Sequence, residues 1–392
     1  MKKSRIFFTV CFLLAFTSKT FASRTGFSCF SDIVSIDLPE GFYTKEVSGD
    51  EKSYLLGCDF SQANAAIKIY DAKRFSSSKE ALDSSMKNLK VNFESEEFSW
   101  YSKSSAFAVF DGNLSGIYSK GMAAATVIPE DSSVIFIMLW TSAQNFENEY
   151  AVFASFLDGL YVDMQSYFSK GILTSYLDSE EMEDIESGTE EKIDVNLEID
   201  GHKIKTNLFE KDSSFAQEFI EREYKVLCLY QKDPRWKEAW QRFYRLIFRD
   251  SCARLKKVSF DIYNVLEPYC TDETDLAQKL LNWVQEFDYE REKTQSDFAN
   301  LPSMLLGEGS DCDSRSLLLA VLLNEMNIDS CIFVSSEYSH AVAGLVSSHP
   351  GFSFAAGEKN YLTGETTAKN INWGNINQNQ ADRNKWIEVL LP

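Results

Sequence analysis

From about Ser31 to Asp163, apolar and polar residues alternate in short runs closed by turn residues, and this period of two predicts strands. The runs are DIVSIDLPEGFYTKE (32–46), AAIKIYDA (65–72), AFAVFDGNLSGIYSKG (106–121) and AAATVIPEDSSVIFIMLW (123–140). Within the last, VIFIMLW is apolar at every position and suits a buried strand. Two segments change period. SSSKEALDSSMKNLKVNF (76–93) opens on serine caps, and ENEYAVFASFLDGLYV (147–162) spaces its apolar residues by three and four, so both predict helices. An antiparallel sheet with a helix or two packed on it satisfies this pattern.

The second half reads differently. VNLEIDGHKIKTNL (195–208) predicts a hairpin turning at Asp200-Gly201, and helical periodicity then runs through 213–231, 233–269 and 272–290. Trp236, Trp240, Phe243, Tyr244, Ile247 and Trp283 are expected in the core, because aromatic stripes at helical spacing pack. LPSMLLGEG (301–309) breaks the pattern, a leucine-rich helix begins near Ser310, and two β-rich runs in SCIFVSSEYSHAVAGLVS (330–347) flank a polar turn. YLTGETT (361–367) predicts a further strand.

Between the halves, DSEEMEDIESGTEEKI (178–193) carries acids at a density that resists collapse and lacks the alternating ligands and turn glycine of a calcium loop. The expected organisation is α+β: an N-terminal antiparallel sheet with packed helices over 23–170, an acidic linker over 171–194, and over 195–392 a helical segment leading into a second α+β domain.

Composition narrows the function. The 392 residues are 44% hydrophobic, enough for packed cores, and the net charge is −20. Such a body repels nucleic acid, and the nearest basic group, Arg254, Lys256 and Lys257, reads as a solvated helix face. Residues 1–22 have a basic start, an apolar stretch from Ile6 to Phe16 and a small-residue end, which predicts a secretory signal and an exported, periplasmic or extracellular, protein. A stretch of eleven residues is short for a bilayer span, so no membrane span is expected after cleavage. Cleavage leaves Cys29, Cys58, Cys228, Cys252, Cys270, Cys312 and Cys331. An odd number cannot all pair within one chain; Cys29 with Cys58 is a plausible bridge, and Cys312 is the thiol whose setting suits a free one.

Cys312 stands in GSDCDSRSLLLAVLLNEMNID, directly ahead of the apolar run. Ser310 and Asp313 have the spacing of a capping box, which places Asp311 and Cys312 in the first turn. Unpaired amides and the positive helix end there favour thiolate over thiol and can hold an oxyanion, while the neighbouring acids oppose it. A thiolate works best with an imidazole, and the chain has three histidines. His202 reads as a hairpin shoulder and His349 as a turn residue, which leaves His340 as general acid and base, with Glu365 as the orienting acid. Asp311 and Asp313 read as supporting or capping residues. The set Cys312, Asp313 and His340 has no metal-ligand spacing, so neither metal nor cofactor is expected.

Two resemblances follow. The cysteine heading DCDSRSLLLAVLLNEMNI, the strand-borne HAVAG and then YLTGETT together resemble the bacterial branch of the transglutaminase-like superfamily over about residues 270–376. That resemblance implies a papain-like α+β fold and a Cys312–His340–Glu365 triad working through a thioester, with glutamate where the family more often has aspartate. It implies a protein or envelope-peptide substrate, hydrolysis by a peptidase or amidase ahead of cross-linking, or alternatively a catalytically silent binding or structural module of the envelope. FSDIVSIDLPEGF and FASFLDGLYVD resemble exported PsbP-like domains and carry no catalytic residues.

Overall fold

Val134–Trp140 forms the centre of the larger sheet, and its uniform apolarity has a geometric cause. Ile135, Ile137 and Leu139 point into one core, while Val134, Phe136 and Met138 point into another on the opposite face. The protein is described from a computed structural model at residues 25–26, 34–183, 191–290 and 296–391. The expected signal segment, Cys29 and residues 184–190 of the acidic stretch lie outside the described residues.

The elements of the first half are β1 (Thr25–Gly26), β2 (Ser35–Ile36), β3 (Phe42–Val47), β4 (Ser53–Cys58), β5 (Asn64–Tyr70), α1 (Ser78–Leu89), β6 (Asn92–Trp100), β7 (Lys103–Leu114), β8 (Ile117–Val127), β9 (Val134–Ser142), α2 (Phe146–Asp158), β10 (Leu160–Tyr161) and α3 (Ile172–Glu183). Strands β3 to β9 make an antiparallel sheet in the order β3-β4-β5-β9-β8-β7-β6. Helix α1 covers one face, capped by Ser77, whose side chain accepts from the Glu80 amide, and α2 covers the other. Strands β4 and β6 are additions to the sequence reading. In β6, an edge strand that only β7 pairs, Phe93 and Phe98 pack against different cores on opposite faces while Glu94, Glu96 and Glu97 stay exposed, a pattern with no regular period of two.

The second half contains β11 (Lys192–Ile199), β12 (His202–Phe209), α4 (Asp212–Cys228), α5 (Trp236–Leu266), α6 (Glu273–Val284), α7 (Leu301–Leu305), α8 (Cys312–Glu325), β13 (Ser330–Ser335), β14 (His340–Val346), β15 (Ser353–Ala356), β16 (Lys359–Gly364) and β17 (Ile387–Val389). Asp200 and Gly201 both adopt left-handed backbone, φ 50° and 76°, which closes the expected two-residue hairpin with Ile199 opposite His202. The last five strands form an antiparallel sheet in the order β15-β16-β14-β13-β17. Leu317–Leu323 is buried all round because α8 lies between that sheet and α5; a helix apolar on every face has to be central. The α+β class with antiparallel sheets is thus observed. No helix among the described residues is long and apolar enough to cross a membrane.

The expected linker is shorter than 171–194. Residues 172–183 are helical, and Ile172 and Leu173 are buried in the first core. Asp178, an acid expected to be solvated, meets Lys170 Nζ at 2.6 Å and Arg254 Nη2 at 3.2 Å. Arg254 therefore does not belong to a solvated basic face. It is buried among Asp178, Asp212 and Asp250, while Lys256 and Lys257 are exposed as expected. Phe243, Tyr244 and Ile247 are buried, and Trp236, Trp240 and Trp283 lie partly buried against the cores.

Helix α5 also joins the halves. Arg242 donates to the Asp37 and Ser155 carbonyls at 2.8 and 2.7 Å, and Arg249 donates from Nε to the Ser169 carbonyl at 2.7 Å. Val226, Tyr230 and Ala239, from the helical segment, are members of the N-terminal core. Cys58, Cys228, Cys252, Cys270, Cys312 and Cys331 are all free thiols, so Cys58 does not form the expected bridge.

Candidate active site

The start of α8 is one residue later than the sequence suggested. Asp311, in extended backbone, is the cap: its Oδ1 accepts from the Ser314 amide at 2.8 Å, and Ser314 Oγ accepts from the Asp311 amide at 2.9 Å. The reciprocal pair is therefore Asp311 with Ser314, not Ser310 with Asp313, and Cys312 becomes the first helical residue. Ser310 is used elsewhere. Its hydroxyl donates to the Asp288 carbonyl at 2.8 Å and accepts from Arg315 Nε at 2.7 Å.

Arg315 is a buried cation one turn into α8, and it ties three segments together. Besides Ser310, it donates to the carbonyls of Phe287 and Thr366. Ser316 and Thr366 hydroxyls lie 3.2 Å apart, which adds a second tie between α8 and the segment after β16. Gln285, at the end of α6, donates to the carbonyls of Glu365 and Ile371 at 2.7 and 2.8 Å. These bonds fix the backbone that carries Glu365 relative to the helix that carries Cys312. The sequence reading missed Arg315, Gln285 and Thr367, although an arginine leading a leucine run was a visible sign of a buried cation needing acceptors.

His340 opens β14 after a turn in which Ser339 is left-handed, φ 48°. Ala343 pairs with Gly364, so Glu365, one residue past the end of β16, falls on the diagonal from His340 on the same face. His340 Nε2 and Glu365 Oε2 are 2.8 Å apart. The longer side chain has a second use: Oε1 accepts from the Thr367 amide at 2.8 Å and hydroxyl at 2.6 Å. Burial pushes the Glu365 carboxyl up, but the bonds from His340 and Thr367 outweigh it and hold the group down at about 2. An ionised carboxylate only accepts, so Nε2 carries the proton and Nδ1 is the nitrogen left to act as base.

Cys312 meets the strand that carries His340 through its backbone: the amide of Ala341, the residue after His340, is directed at the sulfur. The thiol is 4% exposed and donates to Asp313 Oδ1 at 3.6 Å. Burial, then the charges of Asp313 and Asp311, push it up to about 12, against the lowering effect of the Ala341 amide. Asp311 itself is raised to about 6, by burial first and by Asp313 second. At neutral pH Cys312 is therefore a neutral thiol, because burial and the two acids outweigh the Ala341 amide. His202 stacks on Tyr269 with ring centroids 4.1 Å apart, and His349 is exposed in a turn, so neither joins this group.

No family model and no curated protein matches the chain. Among solved structures, the chain is similar to cyanobacterial PsbP from Synechocystis at 13% identity and TM-score 0.30, over 36% of this chain and 94% of that one. It is similar to the Ran-binding protein Mog1p of Saccharomyces cerevisiae at 11% identity and TM-score 0.27, over 37% and 98%. A Bacteroides thetaiotaomicron protein covers 56% of this chain and 74% of its own at 11% identity and TM-score 0.24. Values this low leave the functional reading to the residues themselves.

Proposed function

We propose that the chain is an exported thiol-dependent acyl hydrolase whose C-terminal part is a transglutaminase-like domain, with Cys312 as nucleophile, His340 as general acid and base and Glu365 as the orienting acid. The observation that carries this reading is the part-buried His340–Glu365 pair on the strand whose next amide, that of Ala341, meets Cys312, the thiol that among the described residues stands at a helix N-terminus. Glu365 fixes the ring so that Nδ1 is the basic nitrogen. As Cys312 Sγ attacks an amide carbonyl, its proton passes to Nδ1. The oxyanion forms near the Cys312 amide, one of the unpaired donors of the first turn. His340 then protonates the departing amine, and a water deprotonated by the same ring resolves the thioester. Protein or envelope-peptide amides are the proposed substrates, with hydrolysis ahead of cross-linking.

A second reading is a silent transglutaminase-fold module with a binding or structural role, favoured by the near-complete burial of the thiol and its upward shift. A panel of small p-nitrophenyl esters separates the two. The hydrolase reading expects a burst of one p-nitrophenol per chain, an acyl adduct on Cys312 by mass spectrometry, and loss of the burst in His340→Ala. Acylation of the wild type no faster than that of His340→Ala leaves only the silent module.

A further inference from the structure

The His340–Glu365 pair accounts for the base but not for where the thiol points. Among the described residues, the acceptor of the Cys312 thiol is Asp313 Oδ1, not a ring nitrogen of His340. Asp313 is held in turn by Tyr244, a phenol on α5 that is 1% exposed and hydrogen bonded to that carboxylate. A phenol so deep needs a partner, and here it has one beside the reacting sulfur. The other groups facing this spot are Asp311 and Arg315 from α8, His340 with the Ala341 amide from β14, Glu365 beyond β16, and Asp297, which acts on Asp311.

We propose that Tyr244 and Asp313 are positioning residues that latch the Cys312 thiol in a protonated resting orientation, turned from the His340–Glu365 pair until substrate is seated. This rests on the reading of Cys312 as the nucleophile. Release requires only that the S–H bond turn about Cβ–Sγ from the carboxylate towards Nδ1. The proton is transferred to the ring as the carbon–sulfur bond forms, and Asp313 keeps its charge throughout. The arrangement spares an exported thiol from oxidation and alkylation between turnovers, because thiolate is the reactive form.

The test is the rate of iodoacetamide labelling at Cys312 at pH 8, well below the thiol's own titration, in the full chain, with no substrate present. Asp313→Asn removes the acceptor charge, so more of the thiol is ionised and labelling is about tenfold faster, the change that one unit of pKa brings. Tyr244→Phe acts oppositely, since Asp313 loses a donor and leans harder on the thiol: labelling slows. A merely structural loosening would expose the thiol and speed both variants alike. Each substitution is close to isosteric, and the opposite signs decide. Rates matching the wild type in both variants, or faster in both, overturn the latch. The hydrolase reading fails separately, through the ester burst, so opposite shifts without a burst would leave Asp313 and Tyr244 controlling a thiol that does not acylate.

Discussion

Arg245 and Asp37 are separated by 208 residues and meet in a fully buried two-pronged ion pair, Nε to Oδ2 at 2.7 Å and Nη2 to Oδ1 at 2.8 Å. The pair pins the long helix α5, whose far side supports the candidate site, to the strand-rich half. Removing Asp37 leaves Arg245 charged out of water, and removing Arg245 leaves Asp37 with only the more distant Arg242, Nε at 4.0 Å. Arg245→Met and Asp37→Leu are each expected to cost about 3–5 kcal/mol in denaturant unfolding, while the double variant costs less than their sum. Additive losses would show that the two side chains are not coupled.

Next to that pair, Glu40 is buried and pushed up to about 7, by desolvation first, then by Asp37 against the pull of Arg242 and Arg245. A carboxyl whose folded value lies above its unfolded one binds its proton more tightly when folded. Its contribution is complete below about pH 4.5 and is lost as pH rises towards 7. Glu40→Gln should therefore raise the melting temperature at pH 8, leave it unchanged at pH 4, and flatten the slope between. An unaltered slope would assign the pH dependence to other groups.

Glu365 has the opposite sign. Its folded value near 2 lies below the ordinary 4.5, so its stabilisation is present above pH 4.5 and disappears as pH falls towards 2. Glu365→Gln is expected to be less stable than the wild type at pH 7 by up to about 3 kcal/mol, with the difference closing by pH 2. Thermal unfolding at several pH values checks this, and a constant difference would argue against an ionised Glu365 in the folded chain.

The arginines of α5 also predict what a chain break does. A protease site engineered between Glu183 and Glu191 and then cut should give two fragments that elute together, because Val226, Tyr230 and Ala239 are built into the N-terminal core. Arg242 and Arg245 add polar ties to that packing. Fragments that separate on a sizing column without denaturant would restore the picture of two independent bodies.

Much of the second half was legible because local rules and tertiary packing agree there. The Asp200-Gly201 turn needs left-handed backbone, and the all-apolar Leu317–Leu323 run needs cover on every side, whatever surrounds it. The capping box slipped by one residue, since Ser310, Asp311, Asp313 and Ser314 offer competing local partners. What decided between them was Arg315, whose guanidinium claims Ser310. The acidic stretch misled in a related way: Asp178 looks solvated beside its sequence neighbours, and only α3 folding back towards Arg254 gives it a cation.

Sequence by itself determined the alternation that makes most of the sheet strands and the placing of Cys312 at the head of a buried helix, and it put His340 and Glu365 forward as candidates in a chain poor in histidine. Only the tertiary structure decided that His340 and Glu365 lie on a strand diagonal, that the thiol turns to Asp313, and that buried arginines bind the two halves. The reason is physical. Periodicity and capping are set by backbone geometry over a few residues, whereas the direction of a hydrogen bond and the state of a proton depend on charges brought together by distant chain, which no local pattern records.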